Sequence, residues 1–159
     1  MRLRQALIDG FIISWWSFSN VSINKFLEVA PLDFEIMFYY ETTGFTQGKV
    51  KGSEVVDAVI NDLNRILTEY GVKERWLKVL GRPVIFVYGR VISKLEKALR
   101  GTDNATKAWG TIRENLKQEA FIIGDALANL KYIDVFDEIR MYNPIGFIQG
   151  SRLFLIFIN

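Results

Sequence analysis

The chain has no cysteine and no histidine among its 159 residues. Without cysteine there is no disulfide framework, no thiol nucleophile and no thiolate metal site. Without histidine the commonest general base near neutrality, the commonest metal ligand and the Ser-His-Asp mechanism all drop out. Acid–base chemistry then falls to Asp, Glu, Lys or Tyr, and no metal or cofactor is expected. Charge of either sign is not in excess: 20 Lys+Arg face 18 Asp+Glu, a formal net charge of +2. That is too little to signal a nucleic-acid binder. Every long apolar run is broken by Asp, Glu or Gly before the 18 residues a membrane span needs. The start, MRLRQALIDGFIISWW, is basic but has no small-residue cleavage site, so no signal peptide is expected. A cytoplasmic protein that binds neither nucleic acid nor membrane is the expectation.

What is present is aromatic and branched. Twelve Phe, six Tyr and four Trp stand among many Ile and Val, residues that favour buried or half-buried strands. The length suits one domain over residues 1–159. Phe11–Trp16, Asp33–Tyr40, Val84–Tyr88, Phe121–Ile123 and Val135–Tyr142 read as strands, closed by turn residues such as Asn143-Pro144. Between them, helices are predicted from Ser22 to Pro31, Ser53 to Tyr70, Glu74 to Leu80, Ser93 to Arg100 and Ala105 to Gln118, with a turn or two over Ala126–Leu130. The best is Ser53–Tyr70, where Val56, Val59, Ile60, Leu63, Ile66, Leu67 and Tyr70 recur at helical spacing. Ser22 and Ser53 are candidate N-caps.

Alternating strands and helices predict an α/β fold with a parallel sheet. It is read first as a partial (β/α) TIM-type barrel, with an open doubly wound sheet as the alternative. No G-x-G-x-x-G follows the first strand and no G-x-x-x-x-G-K-[ST] occurs, so dinucleotide and P-loop readings lack their fingerprints. In either architecture ligands meet the carboxyl ends of the strands. Trp15, Trp16, Tyr40, Glu41, Tyr88, Arg90, Asp125, Tyr142 and Asn143 fall there. Flat rings beside carboxylates and amides suit a sugar, and two carboxylates suffice for glycoside hydrolysis without histidine or metal. Glu41 and Asp125 are the candidate pair. Plainer roles compete: Trp15 or Trp16 in packing, Asp125 as a cap for the helix after it, Arg90 as an ion-pair partner and Asn143 in turn chemistry.

DFEIMFYYETTG, the long helix, GRPVIFVYGR and FDEIRMYNP, in that order, with an early strand ending in Trp-Trp, resemble the endo-α-mannosidase-like glycoside hydrolases. These are glycoside hydrolase family 99 and its archaeal and bacterial relatives. The resemblance implies a (β/α)₈ barrel acting on or binding α-mannosidic glycans. It implies substrate binding by Glu41, with Trp15, Trp16 and Tyr88 near the same cleft. The family's two catalytic carboxylates lie in a late Asn-Glu-Trp segment, and no such segment occurs in this chain. A complete barrel also needs about 200–250 residues. The chain is therefore expected to be a barrel fragment, catalytically incomplete, with an oligosaccharide as its expected ligand. An active hydrolase using Glu41 and Asp125, and a remnant with no ligand function, are the other readings. The apolar run Leu153–Ile158 and the open edges of an incomplete barrel predict a homodimer or other homo-oligomer.

Overall fold

The computed structural model describes residues 10–16, 20–42, 50–52, 54–126 and 129–141. The run at 153–158, Ser53, Tyr142 and Asn143 lie outside the described residues.

Strands β1 (Gly10–Trp16), β2 (Glu35–Thr42), β4 (Arg82–Val87), β5 (Phe121–Asp125) and β6 (Glu138–Arg140) form a sheet in that order. Every neighbouring pair on this path is parallel. Strand order follows chain order, without the reversal that marks a doubly wound sheet. The connections carry helices α1 (Asn20–Val29), α2 (Glu54–Ile66), α3 (Gly89–Ala98) and α4 (Thr102–Glu114).

Alternation along the strands sorts the side chains onto two faces. Ile13, Trp15, Ile36, Phe38, Tyr40, Ile85, Val87 and Ile122 pack against α2, α3 and α4. The helices meet them with Val55, Val59, Leu63 and Ile66, then Val91, Ile92 and Leu95, then Ala105, Ala108, Trp109 and Ile112. Met37, Tyr39, Val84 and Phe86 form a second cluster on the other face, with Tyr88, Phe121 and Ile123 against it. Among the described residues no helix contributes to that cluster.

Several boundaries differ from the sequence reading. The stretch predicted as a helix at Glu74–Leu80 is extended instead. Residues 75–77 wedge beside the lower half of β2, with the Ile36 N–H donating to the Arg75 carbonyl and the Leu77 N–H to the Ile36 carbonyl. The Trp76 indole N–H donates to the Val84 carbonyl at 2.9 Å. The chain then turns as a hairpin, β3 (Lys78–Val79) pairing antiparallel with the start of β4. Strand pairing and burial of Trp76 outweigh local helix propensity here. The long helix ends in one π-turn over Leu67–Gly71, where Gln118 donates to the Leu67 carbonyl at 3.2 Å. α1 begins at Asn20, so Ser22 lies inside it rather than at its cap. After β5, the helical structure among the described residues is one 3₁₀ turn at Leu130–Tyr132.

The carbonyls at the end of α1 have no basic residue of their own last turn beside them. Arg75 supplies that charge from far along the chain, its guanidinium donating to the Leu27, Ala30 and Pro31 carbonyls.

Candidate functional site

The register brings the carboxyl ends of β2, β4 and β5 level. Tyr40 is paired with Val87 and Val87 with Gly124, so Glu41, Tyr88 and Asp125 follow at the same height. Tyr39 and Glu41 are two residues apart and share the face away from the helices. The Tyr39 hydroxyl donates to Asp125 Oδ2 at 3.3 Å. Its ring lies 5.2 Å from that of Tyr88. The Ser14 hydroxyl, from the neighbouring position on β1, donates to Glu41 Oε1 at 2.5 Å. The Arg90 guanidinium stands over the Tyr88 ring at 5.6 Å, a cation–π arrangement. Glu41, Tyr88 and Asp125 are each partly open to solvent and Arg90 is exposed.

Burial, followed by the nearby Asp125 carboxylate and the hydrogen bond to it, raises the Tyr39 hydroxyl far above the usual phenol range. Tyr88 and Glu41 add to the same shift. Tyr39 therefore stays protonated at ordinary pH and acts as a hydrogen-bond donor. Asp125 Oδ2 also accepts from the Gly89 amide at 3.2 Å. Gly89 is the first residue of α3, where free amides favour an anion. Asp125 thus caps the helix before it in the chain, while the segment just after Ala126, on which the expected cap of a following helix falls, lies outside the described residues.

The strand-end residues divide by face. Glu41, Tyr88, Arg90 and Asp125 gather around Tyr39. Trp15 and Tyr40 go the other way, both with 0% exposure in the helix-side core. Trp15 stacks on Phe38 at 5.1 Å, and the Tyr40 hydroxyl donates to Asp62 of α2 at 3.1 Å. For these two the packing role is the one the geometry supports. Trp16 ends β1 after a register shift. Ser14 and Tyr39 were not picked out from the sequence. The signal for them was there in the alternation, since Ser14 is the one polar residue of GFIISWW and Tyr39 shares the face of Glu41.

Among the described residues no group of three or more Asp and Glu side chains could hold a metal ion, and no helix is long and apolar enough to cross a membrane. No protein-family model, no curated protein and no solved structure matches the chain.

Proposed function

We propose that the strand-end cluster of Ser14, Tyr39, Glu41, Tyr88, Arg90 and Asp125 binds a hydroxyl-rich small molecule of the sugar class and does not cleave it. The observation that carries this reading is the placing of Tyr39 between the two carboxylates on the helix-free face. A buried donor fixed on Asp125, an aromatic ring beside it and a second carboxylate held by Ser14 offer acceptors for hydroxyls and a surface for an apolar sugar face. The strand order and the helices on one face support a barrel-type arrangement, in which this end of the sheet is where ligands sit. The resemblance to the endo-α-mannosidase-like enzymes makes α-mannosidic oligosaccharides the first ligands to try.

Hydrolysis is the weaker reading. A general acid must donate to the leaving oxygen. Asp125 Oδ2 instead accepts from both Tyr39 and Gly89, and Glu41 accepts from Ser14.

A second reading is that the cluster serves the fold alone. It is favoured by the same Asp125 contacts, which join β2, β5 and α3 without a ligand. Calorimetric titration with α-mannosyl oligosaccharides separates the two. Binding that is lost in Glu41→Gln while thermal stability stays near wild type supports a site. Absence of binding across a panel of neutral oligosaccharides overturns it in favour of the structural role. Sugar release by the purified chain, abolished in Glu41→Gln, would establish hydrolysis instead.

A further inference from the structure

We infer that the ligand of the strand-end cluster carries a protonated amine among its hydroxyls, as an amino sugar does, with the ammonium held by Ser14 and Glu41. The inference rests on the sugar-class reading of that cluster and adds a charge to the ligand.

It follows from where the protons of the cluster go. A serine hydroxyl and a phenol each have one proton to give, and a carboxylate has none. The Ser14 proton goes to Glu41 Oε1 at 2.5 Å. The Tyr39 proton goes to Asp125 Oδ2 at 3.3 Å, and the Gly89 amide proton to the same oxygen at 3.2 Å. What these groups present to a ligand is therefore lone pairs. Ser14 and Tyr39 are register partners on β1 and β2, and Glu41 follows two residues later on the face of Tyr39. A hydroxyl set among such oxygens donates once and turns its own lone pairs toward theirs. An ammonium donates three times and has no lone pair.

Charge points the same way. Glu41 is half-buried, and among the described residues no Lys or Arg is ion-paired with it. Asp137, the half-buried carboxylate at the other end of the sheet, is paired with both Arg82 and Arg113. The field of Glu41 reaches the Tyr39 hydroxyl, where it adds to that of Asp125 in opposing loss of the proton. The two carboxylates thus act on one place. Arg90 stands over the Tyr88 ring at 5.6 Å, at the start of α3 and two strands from Ser14 in the sheet order. There it remains a donor for the hydroxyl oxygens of the same ligand. At the Ser14 end an ammonium would make a charge-assisted bond to Glu41, about twice as strong as one from a neutral hydroxyl.

Calorimetric titration of the full chain with D-mannosamine, D-mannose, N-acetyl-D-mannosamine and ethanolamine tests the inference, with the free amines kept protonated. Mannosamine is expected to bind about tenfold or more tighter than mannose, which has a hydroxyl in place of the amine, and than N-acetylmannosamine, whose nitrogen is uncharged. It should exceed ethanolamine, which lacks the ring, by about as much. High salt should narrow the advantage over mannose. In Glu41→Gln the mannosamine affinity should fall by about tenfold or more. Mannose bound as tightly as mannosamine overturns the inference and leaves the sugar reading standing. An advantage over mannose that survives Glu41→Gln overturns it too, because the ammonium is then held elsewhere. Ethanolamine bound as tightly as mannosamine overturns it by reducing the effect to charge attraction. No binding of mannosamine while α-mannosyl oligosaccharides still bind overturns the inference alone, and no binding of any of these sugars overturns both.

Discussion

The Gly89 amide and the Asp125 carboxylate meet at 3.2 Å, and the contact leaves no room for a side chain on residue 89. A Cβ there would stand 2.9 Å from the Asp125 carbonyl oxygen and 3.1 Å from its Oδ2. One of those obstacles is backbone, which cannot swing aside. Gly89→Ala should therefore push the end of β4 and the start of α3 away from β5, at a cost of about 1–3 kcal/mol. Urea unfolding followed by circular dichroism measures it. A change below about 0.5 kcal/mol would show that the strand ends shift apart freely.

A tighter fit occurs one residue earlier on β5. A Cβ on Gly124 would lie 2.2 Å from the Phe136 ring, and that ring is packed by Trp109 and Tyr132. Gly124→Ala should cost about 1–3 kcal/mol. Phe136→Leu should cost about 1–2 kcal/mol by itself. The double variant should be less destabilised than the sum of the two, because the smaller side chain frees the space. Additive losses in a double-mutant cycle would refute this.

Leu80 sits at the tip of the β3–β4 hairpin with a φ of 53°, followed by Gly81 at 77°. Left-handed backbone costs a residue with a Cβ roughly 1–2 kcal/mol, and asparagine tolerates it best after glycine. Leu80 is also 87% exposed, so its side chain contributes little to the core. Leu80→Asn is expected to stabilise the chain by about 0.5–1 kcal/mol. A thermal midpoint that falls in Leu80→Asn would assign the leucine a packing role.

Asp137 ties the lower end of the sheet together. Its carboxylate accepts from Arg82 at 2.8 Å, from Arg113 at 2.9 Å and from the Ile122 amide at 2.9 Å. Burial by itself would raise this carboxyl. The bonds from Arg113, the Ile122 amide and Arg82, together with the Arg113 charge, outweigh it and hold the group below its usual range. A carboxyl depressed by folding contributes stability that is fully present above the unfolded value, about 3.9. That stability is lost as pH falls through the folded value. The acid limb of the stability curve below pH about 4 should therefore be shallower in Asp137→Asn than in wild type. Chemical denaturation at a series of acidic pH values checks it, and parallel acid limbs would remove Asp137 from the linkage.

The hydrophobic periodicity between residues 54 and 70 was enough to place the long helix, because burial of one face at helical spacing leaves few other arrangements. The β-branched and aromatic runs were likewise enough to locate the five parallel strands, although the last is only Glu138–Arg140, with residues 135–137 of the expected strand forming a turn before it. Residues 74–80 show the limit. Their local pattern suits a helix, and only the open backbone of β2 at Ile36 draws Arg75–Leu77 into an extended run.

The candidate site shows the same division. Glu41, Tyr88 and Asp125 could be placed at strand ends from the sequence alone, since a strand's end is a local property. The face each side chain takes depends on register and on which side the helices pack. Those are relations between segments tens of residues apart. They turned Trp15 and Tyr40 inward against α2 and the π-turn, and brought Tyr39 and Ser14 to the carboxylates. Composition and periodicity determined the α/β class and its elements, because each follows from burying apolar side chains at a fixed repeat. The tertiary structure alone decided which polar groups share a face and brought Asp125 to the start of α3, because hydrogen bonds across the sheet depend on the packing of residues that are neighbours only in space.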